Sequence, residues 1–353
     1  MKRRKKPTMT LLNAAGGKII NIRLWIKKLI CDLKSYKRRN IKTTPPRLIA
    51  DNKYPLDISV IVCTYNRPEK LANAVKSLCG QTLPSEKYEI IIVNNGEELN
   101  NTFEEYNDCD IKIIKEERKG LTYARNLGAT VSNGKYLVYI DDDAIAEPRL
   151  LETIKNAFDA HSNAGIIGGQ IILKTPEPKP NIILEGKETL WSGYTVPYTK
   201  YREINKQYEF PFGANFSVRH NIFNAVGGFD ESYGRVGNNY AGGEETVLCF
   251  KVLNCGCKIG IEPKAVVYHD VDKTRYTKEH IKETIKAGIF TTYRLYKDGY
   301  SPAAWDKNYA LERIKIAERE IEKLIKSNAD ELELYYKECE KNGFIELADS
   351  ICE

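Results

Sequence analysis

The chain has 353 residues, 42% of them hydrophobic, with 24 glycines and 14 prolines. That composition excludes fibrous and disordered classes, and the length exceeds what a single core usually serves. The net charge of +6 is unevenly divided: residues 1–47 carry fifteen lysines and arginines against one acid, Asp32, which leaves the remainder at −8.

The basicity therefore belongs to an N-terminal extension, suited to an anionic membrane surface and, less well, to nucleic acid. Nine cysteines are an odd number, and the one close pair, Cys255 and Cys257, has no second pair at zinc-finger spacing. This disfavours a disulfide framework or a zinc site and favours a reducing cytoplasm. No apolar run reaches the ~20 residues needed to span a bilayer. The early stretch "TMTLLNAAGGKII" is a poor secretory signal, because its apolar part is short and Lys18 interrupts it.

Taken in chain order, residues 18–39 place Ile19, Ile22, Ile26, Leu29, Leu33 and Tyr36 on one helical face, flanked by Arg23, Lys27, Lys34 and Lys37. Such a basic amphipathic helix can lie on the inner membrane face as a peripheral anchor, or pack on the body or a partner. "TTPPRLIADNKYP" reads as a linker. "DISVIVCTY" is a β-branched strand, followed by a helix with Leu71, Ala74, Val75 and Leu78 inward. "YEIIIVNN" and "DIKIIKE" are the next strands, "LTYARNLGATVSNG" a helix closed by Gly134, and "KYLVYI" a fourth strand. Alternating strands and helices imply a mostly parallel sheet with ligands at the carboxyl ends of its strands.

Beyond Pro148, "GIIGGQIIL" is a strand and "KTPEPKPN" a loop. An aromatic and glycine-rich lobe follows. "GGEETVLCFKVLNCG" is a helix opening at two glutamates, and "KIGIEPKAVVYHD" a pair of strands ending at His269. Thr277 opens another helix. Residues 308–341 are strongly helical, with Leu311, Ile314, Ala317, Ile321 and Leu324 forming a stripe for the body or for a second copy of the chain. The expected divisions are 1–52 (basic extension and linker), 53–275 (main domain) and 276–353 (C-terminal helices).

Three carboxylates, Asp141, Asp142 and Asp143, follow the fourth strand directly and repel one another unless neutralised. Carboxylate oxygens select hard cations, Mn²⁺ or Mg²⁺, which bridge to phosphate; a solvated acidic turn is the other reading. Glu244 and Glu245 follow Gly242–Gly243 at a helix start, where amide dipoles favour negative charge and a carboxylate facing a cleft can act as a base. His269 ends a strand, as Asp143 nearly does, and can complete a metal shell.

In this order the segments "SVIVCTYNRPEKLANAVKSLCGQT", "GLTYARNLGA", "YLVYIDDDA", "FGANFSVRHNIFNAVGGFDE" and "GGEETVLCFKVLNCGCKIGIEPKAVVYH" resemble the family 2 glycosyltransferases with the GT-A fold. The resemblance covers about residues 56–270. It implies an α/β protein with a Rossmann-like mixed sheet flanked by helices, here with a basic N-terminal helix and a C-terminal helical extension.

The implied activity is transfer of a sugar, with inversion, from a nucleotide-diphosphate donor to an acceptor hydroxyl on a saccharide or lipid-linked molecule. By position, Asp143, Asp141 and His269 would hold Mn²⁺ or Mg²⁺. Thr64, Asn66, Arg67, Asn94, Asn95, Arg125, Asn126, Asp141 and Asp142 would line the donor site. Glu245 would be the base, with Glu244 as the alternative. The second strand ends in Asn94–Asn95 where the family usually has an acid. An Asn carbonyl can still accept from uracil, so a UDP-sugar is favoured over GDP or dTDP donors. Trp191, Asn215 and Phe212 are expected at the acceptor, with Tyr194 and Trp305 as further aromatic faces. The rival classes are a sugar nucleotidyltransferase, which lacks its Gly-rich phosphate loop here, and a basic non-enzymatic adaptor, which leaves the acidic clusters unexplained.

Overall fold

Leu56–Thr64 (β1) is apolar and β-branched on both faces, and its centre is fully buried, as a middle strand of a parallel sheet requires. Tyr88–Asn94 (β2), buried throughout, and Gly134–Asp141 (β4) flank it in parallel register. Asp110–Lys115 (β3) lies outside β2 and exposes Ile113, as an edge strand does. The computed structural model describes residues 54–99, 103–235 and 242–351. The expected basic helix over 18–39 and the 1–52 extension lie outside the described residues.

Among the described residues the sheet is mixed and nine-stranded, eight strands running in the order β3-β2-β1-β4-β8-β6-β9-β5 and β7 pairing with β9. The added strands are Ala144–Ala146 (β5), Ala164–Lys174 (β6), Arg202–Ile204 (β7, beside β9), Phe216–Arg219 (β8) and Lys258–Asp270 (β9). Helix Pro68–Cys79 (α1) starts with proline in its first turn, where the missing N–H costs nothing, and buries Leu71, Ala74, Val75 and Leu78 on the sheet. Leu121–Thr130 (α2) and Leu150–Ala160 (α3) also pack on it. The short helix His220–Ala225 (α4) and Glu244–Asn254 (α5) complete the core layers.

Three expectations change. Gly134 does not close α2; that helix ends at Thr130, and Gly134 opens β4 against β1, where a Cβ would lie 2.2 Å from the Ser59 nitrogen. The segment from Lys258 to Asp270 is one bulged strand, not a pair, because its register against β6 shifts between Gly168 and Gln170. Pro263, which cannot donate to a ladder, sits in the bulge, and its carbonyl accepts from Gln170. The long C-terminal helical stretch breaks at Asn328, which has φ +51°, into Lys307–Lys326 (α7) and Glu331–Ser350 (α8). Within α7 the buried positions are Ala310 and Ala317, while Leu311 is exposed.

Lys278–Lys297 (α6), capped by the Thr277 hydroxyl as expected, and α8 share a small core with Ile183, Trp191 and Val271. The C-terminal helices thus help to build the wall behind the strand ends. Among the described residues no helix is long and apolar enough to cross a membrane.

Candidate active site

Parallel register brings Thr64, Asn94 and Asp141 to the carboxyl ends of three adjacent strands. Antiparallel pairing then sets Ala144 of β5 opposite His269 of β9, and the Asp270 amide donates to the Asp143 carbonyl at 2.8 Å. Two segments more than 120 residues apart therefore meet at one point. Asp142 and Asp143 are buried, while the Asp141 side chain is 34% exposed.

The Thr64 hydroxyl donates to Asp142 at 2.8 Å. Arg67 donates from Nη1 to Asp142 (3.2 Å) and to Asp143 (3.0 Å). Burial, reinforced by the charge of Asp143, pushes the Asp142 carboxyl up to about 6. Burial also opposes ionisation of Asp143, but His269 and Arg67 outweigh it and hold that carboxyl well below the usual range.

The imidazole of His269 explains what this cluster can hold. Nδ1 lies 3.0 Å from the Trp191 carbonyl, which can only accept, so Nδ1 carries a hydrogen. In the neutral ring Nε2 is then a bare lone pair, and it faces an Asp143 oxygen at 3.1 Å. Two lone pairs at that distance repel unless a proton or a cation lies between them. Asp141, Asp143 and His269 can each bring one ligand atom within 4.8 Å of the others. Two carboxylates and an imidazole suit Mn²⁺ or Mg²⁺ chemically, so the donor set fits such an ion.

A second acidic cluster sits beside the first. Helix α5 begins after Gly243, whose φ of +106° is left-handed. Its first residues, Glu244 and Glu245, both accept from Nη1 of the buried Arg125, at 2.9 and 2.8 Å. Nη2 of Arg125 reaches Asp141 at 3.4 Å. One guanidinium thus ties the pair of glutamates to the Asp141 carboxylate. A Cβ at Gly213 would lie 2.1 Å from Arg125 Nη2 and 2.3 Å from Glu245 Oε1, so a side chain there would displace both groups.

The two glutamates are not equivalent. Burial, then the charge of Glu245, push the Glu244 carboxyl up to about 8, and its Oε2 has no partner among the described residues. Burial opposes ionisation of Glu245 as well, but Arg125 prevails and lowers it. The Glu245 side chain keeps 18% exposure against 4% for Glu244, so Glu245 is the one that reaches solvent.

Other expected site residues make hydrogen bonds within the protein. Asn95 donates to the carbonyls of Glu116 and Arg118 and accepts from the Gly120 amide, which uses its side chain to brace the loop before α2. Asn94 is bound within its own turn, to Glu97 and Gly96. Asn66, at φ +56°, accepts from the Glu97 amide. Asn126 exchanges hydrogen bonds with the Phe229 backbone and fastens that loop.

Trp191, 1% exposed, offers no open face; its carbonyl holds His269, and its indole N–H donates to the Arg275 carbonyl. Asn215 is equally buried and staples the β9 bulge, donating to Gln170 and Ala265. Trp305 packs with Tyr309 and Phe344 in the C-terminal core. Phe212 is half-buried, edge-on to Tyr194, and stays beside the cleft next to Gly213. Sequence reading passed over Tyr65. Its ring is 54% exposed at the end of β1, with the Lys119 ammonium 5.2 Å away. The signal was its place between two expected donor residues, Thr64 and Asn66.

Residues 59–227 match the family model described as Glycosyl transferase family 2. A glucosyl-dolichyl phosphate glucuronosyltransferase of Haloferax volcanii is 26% identical over 259 residues, which is 72% of this chain and 79% of that protein. The poly(ribitol-phosphate) beta-N-acetylglucosaminyltransferase TarP of Staphylococcus aureus is 31% identical over 118 residues, 32% of this chain and 36% of its own length. Among solved structures, a mannosyltransferase from Pyrobaculum calidifontis in complex with GDP-Man and Mn²⁺ shares the fold, with a TM-score of 0.50 at 19% identity over 79% of this chain and 75% of that one.

Proposed function

We propose that this chain, whose residues 59–227 match the family 2 glycosyltransferase model on a GT-A fold, is an inverting enzyme using a nucleotide-diphosphate sugar, a UDP-sugar first, to glycosylate a hydroxyl of a saccharide or lipid-linked acceptor. The observation that carries this reading is the pairing, through Arg125, of a partly exposed glutamate with the carboxylate and histidine cluster at the strand ends. Asp141, Asp143 and His269 would hold Mn²⁺ or Mg²⁺, which when bound supplies positive charge to a departing diphosphate.

The chain's own groups do the rest. Glu245 accepts the proton of the acceptor hydroxyl as that oxygen forms its bond to the sugar C1. The bond from C1 to the diphosphate oxygen breaks on the opposite side, so the anomeric configuration inverts. Thr64 and Arg67 fix Asp142 and Asp143 beneath the donor, and the exposed ring of Tyr65 offers a stacking face for its base. Residues 18–39 are proposed to hold the enzyme on the anionic inner membrane face, where a lipid-linked acceptor would reside. The exposed residues of the stripe on α7, such as Leu311, are proposed to contact a second copy of the chain.

A thermal-shift panel of UDP-, GDP- and dTDP-sugars with and without Mn²⁺ tests the donor assignment. The expected result is stabilisation by one donor that requires the metal, UDP-sugars giving the largest shift; stabilisation by GDP-sugars alone would overturn the UDP assignment. Asp143→Asn is expected to abolish the Mn²⁺-dependent part of that shift, since it removes a ligand charge. An undiminished Mn²⁺ effect in this variant would move the metal away from the cluster.

A further inference from the structure

Helix α6 lies outside residues 59–227, the span that matches the family model, yet it reaches the start of α5, the helix that carries Glu245. The link is one buried residue, Tyr233. Its hydroxyl donates to Asp298, the residue that ends α6, at 2.6 Å. Its ring stands edge-on to Tyr300 at 6.1 Å and carries the Arg294 guanidinium 4.0 Å from its centre. Arg294 also donates to the Ser232 carbonyl (2.7 Å) and hydroxyl (3.0 Å), and the Tyr300 hydroxyl donates to Asp230 (3.0 Å). Three side chains at the end of α6 thus grip residues 230–233. A phenol donating to a carboxylate is a strong, charge-assisted bond, and a buried hydroxyl is costly to leave without it.

The other side of Tyr233 meets the site. Its carbonyl accepts at 2.7 Å from the hydroxyl of Thr122, in the first turn of α2, the helix that carries Arg125. Two residues on, the Arg235 carbonyl accepts from the Leu121 amide at 3.2 Å. The Tyr233 ring packs with Val247 of α5 and Leu295 of α6 in one small core. A Cβ at Gly243, which caps α5, would lie 3.3 Å from that ring and 2.7 Å from a Thr291 methyl of α6. A Cβ at Gly234 would lie 3.7 Å from the Glu244 carboxyl carbon. One residue therefore joins α6, the Arg125 helix and the Glu245 helix. Glu245 accepts from Arg125 across that junction at 2.8 Å, a distance that any shift of α5 against α2 would change.

We propose that Tyr233 is a positioning residue for sugar transfer: seated on α6 by Asp298, Arg294 and Tyr300, it sets the first turn of α5, and with it Glu245, against Arg125. It touches no reacting atom itself. The proposal rests on the glycosyltransferase reading given above, and it makes the C-terminal helices a working part of the enzyme.

The test compares the full-length protein with Tyr233→Phe, Asp298→Ala, Asp298→Asn and the double variant Tyr233→Phe with Asp298→Ala. One readout is amide hydrogen exchange in peptides covering α5, set against peptides covering β1 and β4. The other is nucleoside diphosphate release from UDP-, GDP- and dTDP-sugars in Mn²⁺, with water standing in for the acceptor and kcat and KM measured separately. Tyr233→Phe and Asp298→Ala are each expected to speed exchange in α5 alone and to lower kcat roughly fivefold to tenfold, with the donor KM changed less than about twofold. The double variant is expected to lose no more than either single one, since both remove the same bond. Asp298→Asn, which keeps an acceptor for the phenol, is expected to fall between wild type and Asp298→Ala. Unchanged kcat in Tyr233→Phe and Asp298→Ala overturns the positioning role. Faster exchange in β1 and β4 as well, with kcat and KM impaired together, also overturns it, because that is general loss of packing. A wild-type protein that releases diphosphate from none of the donors overturns the nucleotide-sugar reading; faster exchange confined to α5 would then still uphold the link from Tyr233 to that helix, and unchanged exchange would overturn it.

Discussion

Glu245→Gln is expected to lower the rate of sugar transfer by roughly 10²–10⁴-fold, the range of a lost general base, with the donor affinity left close to that of the wild type. Glutamine keeps the volume and still presents a carbonyl oxygen to Arg125, so the packing beneath Gly213 is preserved. What it loses is the capacity to take a proton. Glu245 is the better candidate of the pair because its side chain opens to the cleft, while Glu244 is enclosed and its carboxyl is raised toward the protonated form. A carboxyl that already holds a proton at neutral pH cannot accept another from a hydroxyl. Single-turnover transfer measured beside nucleotide binding separates the two effects. Near-normal turnover in Glu245→Gln, with collapse in Glu244→Gln, would transfer the role to Glu244.

Arg125→Leu is expected to be the most destabilising single substitution near the site, by about 3–5 kcal/mol, because it leaves buried carboxylates without their counter-charge. Glu244, Glu245 and Asp141 all lean on this one guanidinium. The loss should depend on pH, and its sign follows from the protons each state binds. In the wild type, Glu245 has a folded pKa below its unfolded value, so its stabilising contribution is present above the unfolded carboxyl range and fades as pH falls. Glu244 is shifted the other way: between its unfolded value of 4.5 and about 8 the folded protein holds the extra proton, so stability declines across that window as pH rises.

Removing Arg125 abolishes the first contribution and deepens the second. The deficit measured by urea denaturation is therefore expected to be larger at pH 8 than at pH 5. A deficit that is equal at both pH values, or below about 1 kcal/mol, would mean that the glutamates are neutralised by something other than Arg125.

Much of this was legible in the chain itself. β-branched runs that stop at polar residues have few folded solutions other than strands delivering those residues to a sheet edge, so Thr64, Asp141–Asp143 and His269 could be placed before any coordinates. Two glutamates after paired glycines likewise read as the start of a helix, and α5 begins there. The asparagines were less readable. Asn95, Asn126 and Asn215 carry the same amide, suited in sequence to a base, a donor or an acceptor, and the N–H donors of each go to backbone carbonyls elsewhere in the chain. A polar side chain announces its hydrogen-bonding capacity but not the partner that fills it.

The sequence by itself determined the first four strands, the strand-end acids, the charge split and the family resemblance, because these depend on local pattern: continuous apolar runs, helix starts and motif order. Only the tertiary structure decided which glutamate is exposed, that a side chain at Gly213 would crowd Arg125 and Glu245, that β9 is a single bulged strand, and that Trp191 faces inward to hold His269 and Arg275. Those depend on contacts between segments distant in the chain, such as Trp191 with Arg275 or Arg125 with Glu245. Whether a buried charge is neutral, paired or left for a ligand depends on the groups that packing brings within a few ångströms, and no local pattern encodes that distance.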